Sequence, residues 1–199
     1  MKKVIKLLFI TIVLFFLAGT GVFFWLKHCT ATKWKDYYSD SEIEGFANKM
    51  EDTESLPKNI YEAYEFVYPG HLNLQISDME NKVLWYLISG NKEELMKGRQ
   101  CFCVNAAERF ENRFPAGYHS FSWLLLGHAL EQATTERKCF DFINGPNLSL
   151  LSVKYKQKPI QGLSFDEAVK LIVLSESPAI YTNSPERLTQ RMSEVYSKN

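Results

Sequence analysis

Leu7 to Leu26 runs for twenty residues without a charged side chain, LLFITIVLFFLAGTGVFFWL. At helical rise that length covers roughly 30 Å, the hydrocarbon thickness of a bilayer. Lys2, Lys3 and Lys6 precede the run, and Lys27 and His28 close it. Two readings compete. An apolar stretch to Leu17 followed by Ala18-Gly19-Thr20-Gly21 has the form of a cleaved signal peptide. Val22-Phe23-Phe24-Trp25-Leu26 carries the apolar run past those small residues, which favours an uncleaved transmembrane helix. Lysines near the two ends balance, so the positive-inside count is level. The α-amino group and the lack of acids before the span, against Asp36, Asp40, Glu42 and Glu44 after it, keep the N-terminus in the cytoplasm. The expected product is a single-pass protein of the inner (cytoplasmic) membrane with its body extracytoplasmic. Trp25, Trp34, Tyr37 and Tyr38 are expected to form an interfacial aromatic belt.

Charge narrows the rest. Of 23 basic and 23 acidic residues, Lys2, Lys3, Lys6 and Lys27 lie in the first 28 positions and no acid does, so the body has four more acids than bases. A mildly acidic body is not a nucleic-acid binder by charge. Apolar residues at 46% and aromatics at 14% provide for a packed core, which argues against disorder. Four Cys in 199 residues are too few for a disulfide scaffold.

Helical signals dominate the body. Ile43, Phe46, Ala47 and Met50 repeat at helical spacing, as do Ile60, Ala63, Tyr64 and Val67 after Pro57, with Pro69-Gly70 ending the second run. Ser77-Asp78-Met79-Glu80 forms a capping-box pattern before Val83, Leu84, Leu87 and Ile88; Gly90 stops that helix and Asn91 to Glu94 starts another. Phe121 to Leu130 is apolar nearly all round and reads as the central helix. Glu136 to Ile143 reads as a short helix stopped by Asn144-Gly145, and Leu150 to Tyr155 as the one strand candidate. Ser164-Phe165-Asp166-Glu167 is a second capping box, and Ser184-Pro185-Glu186 opens a last helix with Leu188, Met192 and Val195 on one face. The expected fold class is all-α. The expected organisation is a cytoplasmic N-terminus (1–6), a transmembrane helix (7–26), a juxtamembrane linker and helix (27–55) and a globular domain (56–199).

Local chemistry is sparse. Cys101-Phe102-Cys103 invites a metal reading, with Cys139, His119 and His128 the nearby residues able to complete four ligands. The simpler expectation is buried free Cys, or one disulfide from this pair to Cys139 in an oxidised body. His71, His119 and His128 stand without a local partner pattern, and His128 reads as a core residue. No nucleophile elbow, zincin helix, P-loop or dinucleotide fingerprint is present, so no metal and no cofactor is expected.

The stretch Lys158 to Leu171, KPIQGLSFDEAVKL, continues through Ser177-Pro178-Ala179-Ile180-Tyr181 to Ser184-Pro185-Glu186-Arg187-Leu188-Thr189-Gln190-Arg191. It resembles the C-terminal part of the peptidoglycan glycosyltransferases (glycosyltransferase family 51), which include the monofunctional transglycosylases and the transglycosylase domains of penicillin-binding proteins. Tyr155, Lys158, Leu163, Ser164, Glu167 and Ala168 match the family's Y-F-G-K and L-[ST]-x-x-E-A pattern, and Pro185, Glu186, Arg191 and Val195 match its last helix. Leu130-Glu131 to Asn144 resembles L-E-x-x-x-S-K-x-x-I-x-E-x-Y-L-N, with Asp141 close to that motif's later Glu. Pro57, Ile60 and Ala63 resemble the run leading into the first catalytic motif. The resemblance implies a lysozyme-like, transglycosylase-type domain, with Lys158, Arg187, Arg191 and Asp141 as substrate-binding residues.

The departures set the expected activity. Counting on from Ala63, the family's catalytic E-D pair falls on Tyr68 and Pro69, and the R-K-x-x-E motif falls on His119, Ser120 and Trp123. Glycosyl transfer needs a base on the attacking hydroxyl and cations against the leaving pyrophosphate. Glu62 and Glu65 are the candidate substitute catalytic carboxylates. The expectation is a catalytically degenerate protein that binds or scaffolds in cell-wall glycan synthesis. Its expected partners are the membrane, a lipid-linked glycan or peptidoglycan, and cell-wall synthesis proteins. An active enzyme with rearranged carboxylates and a membrane-tethered partner-binding or immunity protein are the alternatives. Residues 7–26 should remain in the mature protein: intact-mass measurement on the membrane fraction should find the original N-terminus. A mature N-terminus near Thr20 or Gly21, or protein free in the soluble fraction, would overturn the anchor.

Overall fold

The computed structural model describes residues 9–11, 13–14, 17–21, 23–25, 28, 32–75, 101–110 and 122–198. All regular structure among them is helical, so the fold class is all-α. The helices are α1 (Asp40–Glu51), α2 (Lys58–Val67), α3 (Phe102–Ala107), α4 (Ser122–Ala133), α5 (Glu136–Lys156), α6 (Phe165–Glu176), α7 (Pro178–Asn183) and α8 (Pro185–Lys198). Short 3-10 turns lie at Lys33–Asp36, His71–Asn73 and Ile160–Gly162. The described residues between Phe9 and Trp25 are helical, and Phe9, Leu14, Leu17, Phe24 and Trp25 are exposed. Among the described residues no helix is long and apolar enough to cross a membrane, and much of the Leu7–Leu26 run lies outside them. The helices expected from Ser77 and from Asn91 lie outside the described residues as well.

Capping chemistry sets several helix starts. Ser39 and Glu42 form a reciprocal capping box at α1, and Ser164 and Glu167 form another at α6. Gly70, at φ 81, takes the left-handed turn that carries the chain away after α2. Ile43, Ala47 and Met50 of α1 and Ile60, Ala63 and Val67 of α2 are buried, as their spacing requires.

α5 departs from the sequence expectation. It runs unbroken through Asn144-Gly145-Pro146 for 21 residues, so there is neither a stop at Gly145 nor a strand at Leu150–Tyr155. A proline inside a helix costs about 3 kcal/mol. Burial of Leu148 and Leu151 beyond it contributes about 1.5–3 kcal/mol each, which outweighs that cost. Arg109 Nη2 also donates to the Ile143 carbonyl, three residues before Pro146, at 2.9 Å. Gly145 is buried against the Leu56 side chain, so it serves packing and not termination.

The packing order differs too. The capped helices α6 and α8 would be expected to lie on the apolar helix ending at Leu130. Instead α4 packs on α3 and α1, whereas α6 packs on α2 and α5 and carries α8. α5 is the link, touching α1, α3 and α6. Trp34 and Tyr38, 4% and 2% exposed, are core residues and not part of an interfacial belt. With Ile43 and Met50 they bring the described part of the juxtamembrane segment, from residue 34 on, into the same core as the rest of the domain.

The α6 capping box yields a test. The Lys158 ammonium, 2.8 Å away, and the Ser164 N–H pull the Glu167 carboxyl down to about 2. A folded-state pKa below the unfolded one adds stability that is present above about pH 4.3 and lost as pH falls through the folded value. Glu167→Ala should therefore lower the melting temperature at pH 7, and the gap from the parent should close between about pH 4.3 and pH 2. Ser164→Ala, which removes the other half of the cap, should cost about 1 kcal/mol in denaturant titration.

Candidate functional site

Tyr68, at the position expected of the catalytic Glu, caps the C-terminus of α2. Its Oη donates to Glu176 Oε1 at 2.5 Å. Glu176, at the end of α6, also accepts from Arg191 Nη2 at 2.9 Å and Nε at 3.2 Å, and from Tyr181 Oη at 3.0 Å. The His71 ring stacks on Tyr68, with centroids 5.4 Å apart. α2, α6, α7 and α8 thus converge on one carboxylate. Burial, then the hydrogen bond to Glu176, raises the Tyr68 phenol far above its ordinary value, so it stays neutral. Burial opposes ionisation of Glu176, but the Arg191 guanidinium and the two tyrosine hydroxyls together hold its carboxyl below the usual range. The cluster is an ion pair closed on itself.

The structure brings together Tyr68 and Arg191 from the expected set and holds the others elsewhere. Glu62 is exposed on α2 and pairs with Lys58 at 2.9 Å. Glu65 folds back and accepts the Gly70 N–H. Lys158 pairs with Glu167, and Arg187 is exposed on α8. Asp141 is 0% exposed and accepts from Tyr61 Oη at 2.7 and 2.8 Å and from the Leu56 N–H at 3.4 Å. Glu176, the hub of the cluster, carried no sequence signal: its bond to Tyr68 crosses 108 residues, beyond any local pattern.

A second cluster surrounds the start of α3. Cys103 and Cys139 form a disulfide between α3 and α5, one of the two pairings to Cys139 that the sequence left open. Cys101, fully buried, is a free thiol and donates to Glu136 Oε2 at 3.6 Å. The Glu136 carboxylate also accepts the Phe102 N–H and, at 3.1 Å, the Cys103 N–H. Burial raises the Glu136 carboxyl to about 7 against the pull of those N–H groups, and burial followed by the charge of Glu136 pushes the Cys101 thiol far up. Glu136 is also part of the wall of a pocket of about 330 Å³ shared with Leu72, Leu74 and Arg137. His128 is buried in α4, and His119 lies outside the described residues, so the fourth group beside the three Cys is Glu136. Its place in a first helical turn, where acids are common for capping, hid it from sequence reading.

No family model, no curated protein and no solved structure matches this chain.

Asp141 separates a structural from a ligand-binding role. Asp141→Ala leaves the Tyr61 hydroxyl and the Leu56 N–H without their acceptor inside the core. Denaturant titration should show a loss of about 2 kcal/mol. An unchanged midpoint together with lost glycan binding would instead make Asp141 a ligand contact.

Proposed function

We propose that this chain is a membrane-anchored, lysozyme-like relative of the peptidoglycan glycosyltransferases that binds or scaffolds in cell-wall glycan synthesis without catalysing it. The reading rests on the Tyr68–Glu176–Arg191 cluster. The residue in register with the family's base is a neutral phenol tied to a carboxylate, and Arg191 is tied to that same carboxylate. A phenol of raised pKa is a poor base at neutral pH, and a guanidinium already paired bidentately is not available to a pyrophosphate. The Cys103–Cys139 disulfide supports a body in an oxidising compartment, beyond the inner membrane. The apolar run from Leu7 to Leu26 supports the anchor.

The active-enzyme alternative has less support. Glu62 is paired with Lys58 at the surface, and Glu65 is turned onto the Gly70 N–H. A partner-binding role is favoured by Leu150 and Val153, 66% and 60% exposed along one face of α5. Purified full-length protein in lipid II polymerisation assays should yield no glycan strands. Lipid II-doped vesicles should still retain it more than undoped ones. Strands that appear with the parent and vanish in Glu62→Gln or Glu65→Gln would establish an enzyme. Equal retention on both vesicles, with no strands, would leave a protein partner as the ligand.

A further inference from the structure

We propose that Cys101, Cys103, Cys139 and Glu136 form a Zn²⁺ site when the Cys103–Cys139 disulfide is reduced. The cystine and the metal site are then two exclusive states of the same sulfurs. The donors lie in two groups that share Glu136: Cys103 Sγ, Cys139 Sγ and a Glu136 carboxylate oxygen lie within 4.8 Å of one another, and Cys101 Sγ lies within 4.8 Å of Glu136 and Glu131. Cys101 Sγ stands 3.6 Å from Glu136 Oε2. Tetrahedral Zn²⁺, with Zn–S near 2.3 Å and Zn–O near 2.0 Å, sets neighbouring donors about 3.5–3.8 Å apart. Because Glu136 belongs to both groups, the set closes when the S–S bond opens and the Cys101 side chain turns toward the freed sulfurs. Three sulfurs and one carboxylate are a donor set Zn²⁺ accepts, and soft thiolates disfavour Mg²⁺ and Ca²⁺.

The surroundings suit a metal. The Phe102 and Cys103 N–H groups hold the carboxylate in place, the kind of outer contact that orients a metal ligand, and they offset part of the negative charge. Glu131 forms a neighbouring group with Cys101 and Glu136, its carboxylate oxygen within 4.8 Å of theirs, and adds to the pull on a cation. Glu136 also borders the pocket beside Leu72 and Leu74, so the carboxylate end of the set faces a cavity.

The chemistry balances. A dithiol passes two electrons and two protons to the Cys103–Cys139 bond, which breaks to two thiols while the dithiol becomes a disulfide. Zn²⁺ then displaces three thiol protons, one each from Cys101, Cys103 and Cys139, and takes Glu136 as its fourth ligand. In the reverse step a small-molecule disulfide takes two electrons from the Cys103 and Cys139 thiolates and two protons from water to become a dithiol, the Cys103–Cys139 bond re-forms, and the ion is released. The inference stands apart from the glycan-binding reading and holds whether or not that reading survives.

The test uses the full chain in detergent, reduced with a metal-free phosphine or kept oxidised, and titrated with Zn²⁺ and with Co²⁺. The reduced protein should take up one Zn²⁺ per chain, release protons, and show with Co²⁺ a thiolate-to-cobalt charge-transfer band; the oxidised protein should do none of these. Cys101→Ser keeps the disulfide and so the oxidised fold. In reduced form its Zn²⁺ affinity should fall by more than the roughly 10–100-fold that loss of an outer-shell partner costs. Glu136→Gln should weaken binding in the same direction. If reduction loosens the helices, Zn²⁺ should restore the far-ultraviolet ellipticity. Equal uptake by both redox forms, no charge-transfer band, unchanged affinity in Cys101→Ser, or a loosened chain that Zn²⁺ does not restore would each overturn the proposal.

Discussion

Phe140 is where three helices meet. Its ring, on α5 and 0% exposed, lies with centroid separations of 5.9 Å to Tyr61, 4.7 Å to Tyr64 and 4.8 Å to Phe102. Tyr61 and Tyr64 come from α2 and Phe102 from α3, so one side chain joins elements that are nowhere adjacent in sequence. Such pairs add about 0.5–1.5 kcal/mol each beyond the area they bury. The residues on either side extend the joint. Cys139 is bonded covalently to α3, and Asp141 accepts from Tyr61 and from the backbone before α2. Successive helical residues point about 100° apart. A helix that buries three in a row must be enclosed on most of its circumference, and α5 is met there by Met50 of α1, Tyr61 and Tyr64 of α2, and Phe102 and Cys103 of α3.

That enclosure explains which parts of the fold were legible. Signals that act within one turn were readable: the Ser164–Glu167 box, the Leu188–Val195 face and the stop at Pro69-Gly70. The Ser39–Glu42 box has the same S-x-x-E form and was open to the same reading. α5 was not legible, because Asn144-Gly145-Pro146 carries every local mark of a helix end. Burial of Leu148 and Leu151 decides the matter from outside that window. The apolar periodicity of α4 revealed that it is buried but not against what. α3, six residues long and preceded by a buried cysteine, takes its place on α4 and α5 by packing and by the disulfide, neither of which has a local pattern. The exposed Leu150 and Val153 show the same limit in reverse, since β-favouring residues on the outer face of a helix read as a strand.

At the candidate site the residue types were partly legible and their pairings were not. Lys158, Arg187 and Arg191 are present, although His119 and Ser120 stand where the resemblance would place a basic pair. Two of them are committed. Lys158 is 2.8 Å from Glu167, and Arg191 is 2.9 Å from Glu176. A pyrophosphate would have to displace a carboxylate from each, and the displaced Glu176 would leave Tyr68 and Tyr181 without their acceptor. The closed pairing weighs against phosphate chemistry more than any missing residue does, and it came from long-range contacts that no motif encodes.

Glu136 shows how one acid can serve two ends. Its carboxylate accepts the first N–H groups of α3, which holds that helix against α5 by bonds that do not involve sulfur. α3 also presses Phe102 onto Phe140 and buries Val104, Ala106 and Ala107. None of those contacts involves a sulfur, so the covalent link reinforces a position that packing and capping also define. Asp141, two residues beyond Cys139 on the same helix, accepts instead from the Tyr61 hydroxyl and the Leu56 N–H, the groups it positions. Of the two acids on α5, Glu136 faces a pocket and a thiol and has chemistry open to it, whereas Asp141 faces the core and holds it together.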